Sequence, residues 1–207
     1  HPVYYLNTLN VNNKSHSNIA FLPGSRMSEI KRLFPYFDLA YNYLVKHKLK
    51  ITIFIPTLPH LKEYIDNHTK DWKIKKIIST DKNEIEKNYS KISKALVCSG
   101  TASLEIAKRN IPQLVIYKLN LITEIIAKNF VKVKYANIIN ILNNKMIIPE
   151  ITNSKLNNNI FLYEFNKLIN DEKANIIQIK NINNTLIDIQ GDKPPYILAA
   201  NRIISYL

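Results

Sequence analysis

Cysteine is almost missing from this chain of 207 residues: Cys98 stands alone, so no internal disulfide can form, and its apolar setting marks it as an inert core residue of a cytosolic protein. Nowhere does an apolar run reach the roughly 18 residues needed to cross a bilayer, and no basic-then-apolar leader opens the sequence. The histidines are too scattered for a paired metal-ligand spacing, so no metal and no cofactor is expected. Acidic residues are few, 16 against 29 Lys and Arg, a net charge of +13 that favours anionic partners or reflects a lysine- and asparagine-rich composition. Only Arg26, Arg32, Arg109 and Arg202 are arginines. Glycine is the most informative scarcity. There are three, and two of them, Gly24 and Gly100, fall where a strand pattern passes into a helix pattern, in a chain whose other turns use asparagine.

What is present is an alternation. Ala95-Leu96-Val97-Cys98 is a buried-strand run, followed by Ser99-Gly100 and by helical spacing over 101–109. Asn18 to Leu22 is a similar strand, turned by Pro23-Gly24-Ser25 into a helix that Arg26 or Ser28 opens, with Pro35 expected to kink or restart it. Strands over 49–55, 73–78 and 113–117 and helices to His68 and over 81–93 complete the pattern of a doubly wound parallel sheet. Beyond it, 121–133 reads as an amphipathic helix. Residues 136–142 and 146–151 are short apolar stretches, two helices fill 154–189, and Gly191 with Pro194-Pro195 sets off a last helix over 196–207. Residues 1–17 read as an entering linker.

In such a sheet, ligands bind beyond the carboxyl ends of the strands, where helix N-termini offer free N–H groups to an anion. Gly24, Ser25 and Arg26 form one candidate cradle, with Arg26 frustrated at a helix start unless an anion is bound. Ser99, Gly100 and Thr101 form the second, and Glu105 is placed to accept from paired ribose hydroxyls. Each has a plainer reading, as turn punctuation with a capping serine or as a carboxylate complementing the helix dipole.

Together these motifs resemble the lipid-A-disaccharide synthase family. The resemblance lies in Leu22-Pro23-Gly24-Ser25-Arg26 with Glu29, Ser99-Gly100-Thr101-Ala102 with Leu104-Glu105, and Ile116-Tyr117-Lys118 before Leu121-Ile122-Thr123. It continues through Phe130-Val131-Lys132, Asn140-Ile141-Leu142 and Pro149-Glu150, in order, with His1-Pro2 at the start. Lys118 stands where the family often has Arg, and Ile138-Ile139 where Leu-Pro is usual. The resemblance implies a Rossmann-like parallel sheet flanked by helices, the C-terminal domain of a GT-B inverting glycosyltransferase. Residues 18–190 would hold the UDP-sugar, and 191–207 would cross back to an N-terminal half or exchange between two copies.

The implied donor is UDP-2,3-diacylglucosamine and the implied acceptor 2,3-diacylglucosamine 1-phosphate. The implied place is the cytoplasmic side of the anionic inner membrane. UDP and its diphosphate would meet Gly24, Ser25, Arg26, Ser99, Gly100 and Thr101, the ribose Glu105, and the donor sugar or phosphate Asn140. The general base would belong to the other half, so this chain would bind donor without turnover. Two alternatives remain open: another UDP-N-acetylglucosamine enzyme of this fold, such as an epimerase or a peptidoglycan glucosaminyltransferase, and a non-enzymatic basic domain binding lipid or nucleic acid. The lysines spread over most helices, which gives the second little support.

Overall fold

A computed structural model of the chain describes residues 18–98, 100–118, 134–152 and 155–188. The linker 1–17, Ser99, the helix expected over 121–133 and the last helix lie outside the described residues.

Six parallel strands form one sheet: β1 (Asn18–Leu22), β2 (Ile53–Pro56), β3 (Lys76–Ser79), β4 (Ile92–Cys98), β5 (Gln113–Tyr117) and β6 (Glu150–Thr152). Their order is β3-β2-β1-β4-β5-β6, so the chain works outward from β1 in one direction and then returns to β4 to build the other side. Among the described residues the helices are α1 (Met27–Lys46), α2 (Pro59–His68), α3 (Lys82–Tyr89), α4 (Thr101–Lys108), α5 (Ile138–Asn143), α6 (Asn158–Asn170) and α7 (Glu172–Asp188).

Strand side chains alternate between the two faces, and both faces are apolar because both are covered. Ile19, Phe21, Ile53, Ile55, Leu96, Leu114 and Ile116 pack with α1, α2 and α6. Ala20, Leu22, Phe54, Ala95, Val97 and Val115 pack on the other face with Tyr89 of α3 and with α4, α5 and α7. The aromatic residues lie mainly in the first layer, where Phe21 meets Phe37 edge-on at 5.3 Å and Phe161 stacks on Phe165 at 5.7 Å.

Several boundaries differ from the sequence reading. Pro35 does not restart α1, which runs through it. Proline removes one N–H and so frees the carbonyl four residues earlier, but Pro35 and Lys31 are both exposed, where water can satisfy that group, while Leu33, Phe34, Tyr36 and Phe37 anchor the helix from its buried side. β2 starts at Ile53 rather than 49 because the Leu49 N–H donates to the Leu44 carbonyl and Ile51 to Leu49, winding this stretch around the end of α1. The helix read over 81–93 ends at Tyr89, which lies edge-on to Phe54 at 5.7 Å, and Ile92 enters β4 opposite Asn18. β6, three residues paired with β5, lies inside a stretch read only as apolar.

Candidate functional site

The two glycine turns meet. β1 and β4 are hydrogen-bonded neighbours with Leu22 opposite Val97, so Gly24 and Gly100 follow adjacent carboxyl ends. They stand at the point where the strand order reverses, the place where sheets of this topology open a crevice. Gly24 has φ +120° and Gly100 φ +146°, conformations that strain any residue with a Cβ. Their surroundings differ. A Cβ on Gly24 would lie 3.1 Å from Glu29 Oε2, 3.3 Å from Glu29 Cβ and 3.5 Å from Cys98 Sγ, whereas one on Gly100 would meet nothing among the described residues within 4 Å.

Neither helix start in this crevice has a side-chain cap. Arg26 is the N-cap of α1, and its carbonyl accepts from both the Glu29 and Ile30 N–H groups at 3.0 Å. Within the helix this leaves the Met27 and Ser28 N–H groups without an acceptor. Gly100 is the N-cap of α4, and its carbonyl accepts from the Ser103 N–H at 3.2 Å. α1 and α4 lie on opposite faces of the sheet. The two positive dipole ends therefore converge on one edge from two layers.

Arg26 is less frustrated than its position in the sequence implies, because its Nη1 donates to Glu29 Oε1 at 2.9 Å. Its side chain is nevertheless 76% exposed, free to reach a ligand in the crevice. Beneath it the Cys98 thiol is pushed up to about 12, chiefly by burial and further by Glu29, with Arg32 and Arg26 opposing. It is a core thiol, not a nucleophile. The Tyr117 hydroxyl at the end of β5 is raised first by burial and then by Glu29 and Cys98. Arg32 Nε is buried with no hydrogen-bond partner among the described residues.

Thr101 is exposed at the first turn of α4, and Glu105 is half-buried one turn on. Burial raises the Glu105 carboxyl, Glu86 raises it further, and Arg109 opposes both. Ser99 lies outside the described residues.

Asn140 requires a correction. It is fully buried, its Nδ2 donates to the Ile148 carbonyl at 2.7 Å, and its Oδ1 accepts from the Ile147 and Ile148 N–H groups at 2.8 and 2.9 Å. Both ends of the amide are engaged in folding the 144–148 turn, and the residue is fully buried.

Sequence reasoning also missed a buried polar network behind α4. Ser103 Oγ donates to Gln113 Oε1 at 2.8 Å and accepts from Asn137 Nδ2 at 2.6 Å, while Gln113 Nε2 donates to the Ser103 carbonyl. The Gln178 side chain on α7 bonds both backbone groups of Gln113. Glu150 accepts from the Ala136 and Asn137 N–H groups at 3.0 and 2.7 Å, fixing the loop that carries Asn137. Only the hydroxyl of Ser103 and the Pro149-Glu150 motif signalled these residues, and neither announced its partners. Among the described residues no group of three or more His, Cys, Asp or Glu side chains could hold a metal ion, and no helix is long and apolar enough to cross a membrane.

A family model described as lipid-A-disaccharide synthetase matches residues 6–193. The lipid-A-disaccharide synthase of Rhodospirillum centenum is 25% identical over 91% of this chain and 47% of its own length. That of Gluconobacter oxydans is 30% identical over 74% and 37%, and lipid-A-disaccharide synthase 1 of Legionella pneumophila strain Paris 30% over 84% and 46%. The chain spans about half, or less, of the length of these curated relatives. Among solved structures, TarM superposes with a TM-score of 0.60 at 13% identity, over 89% of this chain and 34% of its own. MurG of Acinetobacter baumannii gives 0.56 at 15%, over 83% and 46%. The architecture is the Rossmann-like C-terminal domain of the GT-B fold.

Proposed function

Because this chain belongs to the lipid-A-disaccharide synthase family, we propose that it is the donor-binding part of an inverting glycosyltransferase. The reaction moves diacylglucosamine from UDP-2,3-diacylglucosamine to 2,3-diacylglucosamine 1-phosphate, releasing UDP. The observation that carries this reading is the convergence of two uncapped helix starts, each behind a glycine with positive φ, at the reversal point of the sheet. Backbone N–H groups at Gly24-Ser25 and at Gly100-Thr101 hold the diphosphate, with Ser99 as a further ligand on the same side. Arg26 swings from Glu29 to the departing charge, and Glu105 accepts from the ribose hydroxyls.

Charge neutralisation by these fixed donors lets the diphosphate leave as the acceptor hydroxyl attacks the anomeric carbon from the opposite side. The base that takes the hydroxyl proton comes from the other half of the enzyme, so this chain binds donor and does not turn it over. The lipid substrates of this reading and the excess of lysine favour work at the cytoplasmic face of an anionic membrane.

Calorimetric titration in the presence of a chelator, with UDP, UDP-2,3-diacylglucosamine and UDP-N-acetylglucosamine, tests the reading. UDP is expected to bind without divalent metal, and the diacylated donor to bind more tightly than the plain one. An absolute magnesium requirement, or equal affinity for the two sugar donors, would sink it.

A further inference from the structure

Arg109 closes α4, and its side chain is only 2% exposed. Three contacts hold the guanidinium there. Nη2 donates to the Glu86 carboxylate on α3, Nη1 donates to the Glu105 carbonyl at 3.1 Å, and Cζ lies 4.6 Å from the centre of the Tyr89 ring. The pair with Glu86, whose side chain is exposed, would by itself add little to stability. One turn before Arg109 on the same helix is Glu105.

We propose that Arg109 is the positioning residue for Glu105: locked between Glu86 and the Glu105 carbonyl, it fixes the turn that presents this carboxylate to the nucleotide and supplies the positive charge that keeps it an acceptor. This rests on the reading of Glu105 as the ribose ligand. Two ribose hydroxyls donate well only to an ionised carboxylate, since a protonated one has become a donor on one oxygen. Burial and the neighbouring Glu86 both favour the protonated form of Glu105, and Arg109 is the group that opposes them. Among the described residues, the groups coupled to this carboxylate are Arg109 from its own helix, and Glu86 and the Tyr89 hydroxyl from α3, the last raised in turn by the charge of Glu105.

The test is a carbon-13 NMR titration of the Glu105 carboxyl in the whole chain. It is paired with the affinity for UDP-N-acetylglucosamine over the same pH range, because that ligand's doubly esterified diphosphate does not titrate there. Arg109→Met is expected to move the Glu105 midpoint upward and to weaken the UDP-sugar about tenfold or more at mildly acidic pH, with recovery as the pH rises. Glu86→Gln alters a side chain that is 57% exposed and is expected to move the midpoint the other way. Where Arg109→Met does not fold, Arg109→Gln, which keeps a donor for the Glu105 carbonyl, carries the same expectation. A midpoint that stays at its native value in the Arg109 variant overturns the proposal, as does a loss of affinity that is uniform with pH. Glu105→Gln, measured alongside, separates the two readings. If it leaves UDP-sugar affinity unchanged, the ribose assignment fails, while the NMR titration still reports whether Arg109 governs the carboxyl.

Discussion

Replacing Gly24 and Gly100 in turn by alanine separates the two demands a phosphate-binding turn makes on a glycine. Both positions have positive φ, +120° and +146°, so each substitution incurs backbone strain of about 1–3 kcal/mol. At Gly100 no such term arises, because the new methyl meets no atom of the described residues within 4 Å. At Gly24 the methyl would press on Glu29 at Oε2 and Cβ, 3.1 and 3.3 Å away, and the Cβ belongs to the helix and does not swing aside. Overpacking of this kind adds about 1–3 kcal/mol, and any shift of Glu29 also loosens its exposed pair with Arg26, worth only a few tenths. Gly24→Ala should therefore lose about 2–6 kcal/mol and Gly100→Ala about 1–3.

At roughly 2–4 °C per kcal/mol for a domain of this size, the two melting temperatures should be distinct in a thermal scan. UDP affinity should rank them differently. On the proposed reading the diphosphate approaches through the space beside Gly100, so its methyl would obstruct the ligand without touching any described residue. Folded Gly100→Ala is expected to lose at least about tenfold in affinity, the scale of one net hydrogen bond to a charged group. Native UDP affinity in Gly100→Ala would refute the argument for close backbone approach, and a Gly24→Ala no less stable than Gly100→Ala would refute the steric one.

Four further outcomes are expected. Arg26→Ala should weaken UDP by about 1.5–3 kcal/mol in calorimetry with little change in melting temperature, since its ion pair with Glu29 leaves the Arg26 side chain solvent-exposed; a drop in stability at unchanged affinity would make Arg26 structural. Glu105→Gln should weaken UDP more than inorganic diphosphate, and equal losses would argue against a ribose contact. Asn140→Ala leaves two N–H groups and a carbonyl of the 144–148 turn without partners and should destabilise by about 2–4 kcal/mol in urea titration, while the folded protein keeps its UDP affinity; selective loss of affinity would restore Asn140 to the site. Cys98, raised from 9.0 to about 12, should resist thiol reagents in the native state and react on unfolding. Because the raised value disfavours the thiolate in the fold, its contribution to stability is complete below about pH 9 and erodes between there and about 12, which denaturation at alkaline pH against Cys98→Ser will show.

The sheet was legible where strands are long and wholly apolar. Ala95 to Cys98 could be read from its apolar run, and Gln113 to Tyr117 from the apolar residues after Gln113, because parallel strands bury both faces. β6 escaped because three residues carry no periodicity, and the 81–93 helix was overextended because Ile92 fits a helical stripe as well as a strand. The glycine turns could be found from scarcity alone. Their adjacency could not, since it depends on β1 pairing with β4 across 70 residues of intervening chain, roughly, and pairing order has no local signature. Asn140 was misassigned for a related reason: an amide beside a site motif and an amide folding its own turn have the same sequence. The network through Ser103, Gln113 and Gln178 joins residues 65 positions apart and leaves no periodic trace.

The crevice draws one helix start from each layer of the domain, α1 from one face of the sheet and α4 from the other. A nucleotide held there acts as a rivet through both layers. Peeling either layer from the sheet would dismantle half of the grip, so bound ligand should suppress partial openings of both layers and not only global unfolding. At a hundredfold excess over its dissociation constant, the added stability is about 2.7 kcal/mol, and it should appear as slowed amide exchange in α6 and α7 alike, on opposite faces and remote from any contact with the ligand. Substrate binding would then set the rigidity of the whole domain, coupling the presence of donor to how firmly this half of the enzyme can present it.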